Sequence, residues 1–213
     1  MNSAKEEILG RIRRAIKRPE DTRTSSYDAI QRAYIQAGAC DRDQRVELFG
    51  DRLRDYGSGV YRCQSNEIAP AIDNVLSQRE KRRLLVPSGF PAKWLPKSFE
   101  FVRDSGLTKQ EINDVESVLT GCALAIASTG TIILRHSPQE GRRALTLIPD
   151  YHLCIVLEDQ VVETVPEGMR AISAFAAAPI TTISGPSATS DIEMTRIKGV
   201  HGPRTLDVLL VGP

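Results

Sequence analysis

The sequence predicts an α/β fold, a mainly parallel sheet covered on both faces, with an N-terminal helical extension. Three observations point there. Apolar residues in the first third recur at helical spacing, whereas from Gly59 onward short β-type runs alternate with helical ones. The connections between those runs are short and rich in glycine and proline, which suits strand–helix units better than an all-helical bundle. At 213 residues the chain is long enough for one large α/β domain with a small helical appendage.

From Ser3, Ile8, Leu9, Ile12, Ala15 and Ile16 trace a helical stripe that Pro19 stops, and Glu20 to Ser26 reads as a polar linker. Tyr27–Ala37 and Gln44–Leu53 are two further helical candidates, closed by Gly38 and Gly57. Residues 1–57 are therefore expected to form a helical arm, able to dock on its own domain, on a second copy or on another subunit. Residues 58–213 are expected to form the α/β domain.

Within that domain Val60–Cys63 is a strand candidate, and Asn66 is placed to cap a helix running to Gln78. Arg83–Val86 and Phe99–Val102 read as strands, and Thr108 with Glu111 spells a capping box. Val115–Leu119, Cys122–Ala127 and Thr131–Leu134 follow, the last two joined by Ser-Thr-Gly as in a hairpin. Leu153–Leu157, Val161–Val162, Ile180–Ser184 and Leu206–Val211 complete the strands, with helices predicted over Met169–Ala177 and Asp191–Ile197.

Charge and composition exclude several function classes. A net charge of +1 gives no global field for nucleic acid or an anionic membrane. The longest apolar stretches, such as Cys122–Ala127, are far too short to span a bilayer, and the N-terminus has no secretory signal core. A cytoplasmic location follows as the default. Cys40, Cys63, Cys122 and Cys154 show no C-x-x-C or ferredoxin-type spacing, and His136, His152 and His201 show no ligand spacing, so no metal site is expected. The chain lacks G-x-G-x-x-G, a P-loop and a G-x-S-x-G elbow.

Three stretches carry candidate chemistry. In the first, a β-rich run enters Ser184-Gly185-Pro186-Ser187, followed by Thr189 and Ser190. Hydroxyls and free backbone N–H groups at such a junction form an anion site. Ser190, Asp191 and Glu193 also fit a helix start with its own capping carboxylate, so a capped helix after a tight turn is the plain alternative. In the second, His201 lies between glycines in Gly199–Pro203 and could act as acid or base, with Asp191 or Glu193 orienting its ring. In the third, Ser128, Thr129, Gly130 and Thr131 form a turn, Arg142 and Arg143 a basic loop, and His152 enters a strand. That stretch reads equally as a hairpin turn, a solvated loop and a buried histidine. Both loops follow strand ends, so the Thr129 and Ser187 regions are expected to be neighbours.

Together these stretches resemble the lactate-utilisation protein C family of the LUD-domain group. The match rests on Ser128–Thr131, Gly141-Arg142-Arg143, Leu147-Ile148-Pro149 with His152, and Ser184–Ser187. It continues through Ser190–Glu193 to Gly199-Val200-His201-Gly202-Pro203, and Pro87–Pro96 around Trp94 agrees. The resemblance implies a three-layer α/β fold similar to the isomerase, CoA-transferase-like and folate cyclo-ligase proteins. It also implies a non-redox subunit of a bacterial system oxidising L-lactate to pyruvate, with no cofactor on this chain and iron–sulfur clusters on partner proteins. The alternative is a stand-alone enzyme binding a phosphorylated, nucleotide or folate-like ligand at the Ser184–Ser190 loop.

Overall fold

In the computed structural model, the described residues are 4–16, 29–31, 33–115, 117–174, 178–189, 197–198 and 202–213. They fall into two units, Met1–Tyr34 and Ile35–Pro213. The first unit contains α1 (Ala4–Ile16), on which Ile8, Leu9 and Ile12 are exposed and Arg11 pairs with Glu7 one turn away. The helix expected over Tyr27–Ala37 does not form in the described part of that segment. Ile30, Tyr34 and Ile35 are exposed there, and an unpacked short helix has too little to offset its nucleation cost.

The second unit is built on a six-stranded, wholly parallel sheet. Its strands are β1 (Gly59–Gln64), β2 (Arg83–Val86), β3 (Glu100–Arg103), β4 (Ser117–Thr120), β7 (Tyr151–Leu157) and β12 (Thr205–Gly212), in the order β1-β12-β7-β4-β2-β3. A smaller sheet holds β5 (Leu124–Ile126), β6 (Thr131–Arg135), β8 (Val161–Val162) and β9 (Ile180–Ile183), ordered β8-β5-β6-β9. Its β5–β6 pair is the expected hairpin. Short β10 (Ala188–Thr189) and β11 (Ile197–Lys198) pair antiparallel, so Ile197 closes a ribbon where a helix end was expected.

The strand period of two places alternate side chains in two cores. On one face Cys154 and Val156 of β7 and Leu206, Val208 and Leu210 of β12 pack against the small sheet and α2 (Arg42–Asp55). On the other face Leu153, Ile155, Leu209 and Val211 pack against Ile68, Ile72, Val75 and Leu76 of α3 (Ile68–Gln78). The remaining helices are α4 (Lys109–Asn113), opened by the Thr108–Glu111 capping box, and α5 (Val165–Ser173), whose Ile172 covers Leu124, Ile126 and Ile133.

One expectation changes in physical meaning. By sequence α2 belongs to the arm, but Val46, Phe49 and Leu53 bury it within the core of the second unit. Its start is fixed by a reciprocal capping box between Asp41 and Gln44, and the preceding leg is held by Gly38 and Cys40 N–H groups donating to Glu167 and Glu163. Similarly, α3 starts without the side-chain cap expected from Asn66; its N-cap is Glu67.

The face toward α3 also buries a charge. Asp207 is wholly buried, accepts two hydrogen bonds from the Arg79 guanidinium at 2.7 and 2.8 Å, and a third from the Tyr151 hydroxyl at 2.9 Å. Burial, then the Asp207 charge, pushes the Tyr151 hydroxyl well above its ordinary pKa. Because neighbours on a strand face opposite ways, Tyr151 serves this cluster while His152 enters the other layer.

Candidate functional site

Beyond β9 the chain turns through Ser184–Ser187 to β10. Gly185 has φ +80°, and a Cβ there would stand 2.5 Å from Cβ of Tyr56, so the turn needs glycine for both conformation and space. Two bonds anchor it. Ser187 N–H donates to the Pro203 carbonyl at 2.9 Å, and a hydroxyl chain runs from Thr129 to Thr131 (2.7 Å) and on to Ser184 (2.8 Å). The Thr129 and Ser187 regions are therefore neighbours, as expected.

This loop roofs a cavity of about 230 Å³ whose other walls include Arg143 and Thr146, Gly202 and Pro203, and His152 and Leu206. His152 and Leu206 are register partners near the N-terminal ends of β7 and β12. Among the described lining residues Arg143 is the one guanidinium and no carboxylate occurs, so the site favours an anion. A wider cleft of about 530 Å³ lies at the opposite strand ends, but Glu158 and Asp159 line it and Arg42 is paired to Glu158 at 3.1 Å. The smaller cavity is the better candidate.

His152 is buried at 1% exposure. Its Nε2 lies 2.8 Å from Thr120 Oγ1, and its Nδ1 has no protein partner. Beneath it the Thr120 hydroxyl donates to Cys154 Sγ at 3.8 Å. The Cys122 thiol donates to Gln160 Oε1 at 3.3 Å; its interaction with Cys154, then burial, pushes it up, and the same interaction draws Cys154 down. Among the described residues no group of three His, Cys, Asp or Glu side chains is placed to hold a metal ion.

The sequence candidates separate cleanly. Arg143, His152, Ser184, Gly185 and Ser187 line the cavity. Thr129 and Thr131 brace it through the hydroxyl chain. Ser128 is bound through its N–H to the Glu163 carbonyl, and Gly130, at φ +58°, packs so close to Arg52 of α2 that a Cβ would stand 2.9 Å from it. Neither lines the cavity. Arg142 is also a correction: its guanidinium grips Asp104 at 2.8 and 3.0 Å and bonds the Leu107 carbonyl. That grip, then burial working against it and the Leu107 and Gly106 N–H groups working with it, holds the Asp104 carboxyl below its ordinary range. Thr189 contributes backbone to β10, whereas Ser190, Asp191, Glu193 and His201 lie outside the described residues.

Sequence reasoning missed Thr146 and Thr182, which lack any motif, and passed over Gly202 and Pro203 for the histidine beside them.

The chain matches a known family in both sequence and fold. The family model described as the LUD domain matches residues 46–211. This chain belongs to the LUD-domain family. A relative named Lactate utilization protein C, from Deinococcus radiodurans, is 45% identical over 98% of this LUD protein and 96% of its own length. Another of the same name, from Halalkalibacterium halodurans, is 25% identical over 92% of this chain and 90% of its own. A crystal structure of a DUF162 family protein from Deinococcus radiodurans superposes with a TM-score of 0.71 at 41% identity, covering 82% of this chain and 100% of that one. The LUD match begins at Val46, inside α2, which agrees with that helix being part of the core. No helix among the described residues of this LUD protein is long and apolar enough to cross a membrane.

Proposed function

We propose that this LUD-domain protein is the non-redox subunit of a bacterial L-lactate oxidation system. In this reading it works in the cytoplasm with iron–sulfur partner proteins that carry the electrons from lactate to pyruvate. The observation that carries the reading is the 45% identity to a Lactate utilization protein C over nearly the whole of both chains.

Two features of the chain support it. Its four cysteines are spaced unlike a cluster-binding run, and Cys122 and Cys154 are packed in the core, where they behave as small hydrophobes. The cavity carries one guanidinium and hydroxyl groups, which suits a small organic acid. At about 230 Å³ it falls short of the roughly 300–1,000 Å³ that drug-sized ligands occupy, so a nucleotide or folate at the Ser184–Ser190 loop is less well supported.

Deleting the gene is expected to abolish growth on L-lactate as sole carbon source, leave growth on pyruvate intact, and be reversed by resupplying the chain. Undiminished growth on L-lactate without it would contradict the reading.

A further inference from the structure

We propose that α1 is a reversible membrane-docking element, whose apolar stripe and arginine flanks lay the helix on the headgroup layer of an anionic lipid bilayer. The proposal is independent of the lactate reading and of the cavity.

The arrangement of charge around α1 carries the inference. At 3.6 residues per turn, Ile8, Leu9, Ile12 and Ala15 fall within an arc of about 120°. Arg11 borders that arc on one side and Arg13 on the other, with Arg14 on the face behind. Lys5 stands at the N-terminal end of the stripe, where its long alkyl stem carries the ammonium outward. The acidic residues Glu6 and Glu7 are confined to the first turn, where they complement the helix dipole. Glu7 meets Arg11 at 3.3 Å in an exposed pair of the kind that contributes little in water. The sequence then continues with Lys17 and Arg18. Residues 4–18 thus hold six basic side chains against two acidic ones, so in a chain of net charge +1 the remainder is net negative. The field that the whole chain lacks is concentrated on one helix.

The stripe itself is open. Ile8, Leu9 and Ile12 are 57, 36 and 45% exposed, whereas the likewise charged α2 buries Val46, Phe49 and Leu53 to 3% or less. A helix of 13 residues is marginal on its own in water, so a surface that covers the stripe would stabilise the helix as it binds it. The LUD match begins at Val46, which leaves α1 outside the family domain.

A basic amphipathic helix fits a lipid surface or an acidic groove. The double flank favours lipid. Headgroups meet both sides of the stripe at once, and the arginine stems lie along the apolar layer as they reach the phosphates. Parallel pairing with a second copy would set Arg11 and Arg13 against like charges. The docking is interfacial, since 13 residues are too few to span a bilayer.

Co-sedimentation of the full chain with vesicles tests this, using phosphatidylcholine alone and equal parts of phosphatidylcholine and phosphatidylglycerol at low ionic strength. Binding to the anionic vesicles is expected to be roughly tenfold or more tighter than to the neutral ones, and to weaken as salt is added. Ile12→Asp places a carboxylate in the stripe and should remove most of the binding. Arg13→Glu combined with Arg14→Glu should remove the preference for anionic lipid. Urea unfolding of the domain is expected to be the same in all three proteins, which separates lost docking from lost fold. No binding to either vesicle, equal binding to both, or anionic binding that survives both variants would overturn the proposal. A dimer that Ile12→Asp dissociates, seen by sedimentation equilibrium without any vesicle binding, would also overturn it and assign the face to a second copy.

Discussion

The hydroxyls of Thr131 and Ser184 lie 2.8 Å apart, and this bond joins the glycine turn of the small sheet to the loop that roofs the cavity. Thr131 is buried at the start of β6, so its position is fixed by the sheet, and through Ser184 that rigidity reaches the loop. Thr131→Val keeps the shape and removes the central hydroxyl. It is expected to cost about 0.5–1.5 kcal/mol of stability, read by urea denaturation with an unchanged slope. Weakened L-lactate binding should accompany it, because the loop loses its brace.

The buried carboxylate of Asp207 is a stability element rather than part of the site. Asp207→Ala would leave the buried Tyr151 hydroxyl without its acceptor, while the partly exposed Arg79 fork can turn to solvent, so a loss of about 1–3 kcal/mol is expected. Asp207 lies on the α3 face while the cavity lies on the other. Whatever fraction of the variant folds should therefore bind ligand with unchanged affinity, which calorimetry on the folded fraction would check.

Much of this was legible in the sequence where local signals agreed. Arg83–Val86 appears in the structure with the predicted bounds, because an apolar run between a charged stretch and a proline leaves the strand no room to shift. The capping box at Thr108 and the Ser-Thr-Gly hairpin were equally local. Other features depend on contacts far along the chain. The helix Arg42–Asp55 is so highly charged that its buried residues, Val46, Phe49, Gly50 and Leu53, read as an arm until a sheet is placed against them. Arg142 and Arg143 are indistinguishable in sequence, yet an extended residue followed by a tight helical turn sends one to Asp104 and the other to the cavity. Nor could His152 be separated from an ordinary core histidine, since the partner of its Nε2 is Thr120, 32 residues away.

Acid should loosen the Arg142 loop in a specific window. The Asp104 carboxyl is held below its ordinary value chiefly by Arg142, so its contribution to stability is complete above the unfolded-state pKa of about 3.9 and is lost as pH falls through the lower folded-state value. Asp104→Asn is expected to lower stability at neutral pH and to flatten the fall in stability below about pH 4. Equilibrium unfolding of both proteins across that range measures the difference; parallel curves would show that the pair adds nothing.

The most direct measurement is growth on L-lactate of a strain lacking this chain and resupplied with either wild-type protein or Arg143→Gln, with both proteins shown to accumulate in folded form. Rescue by wild type and failure of Arg143→Gln, with normal growth on pyruvate in both, is the result expected if the cavity serves lactate oxidation. Equal rescue by the two proteins would contradict it and remove the cavity from the function.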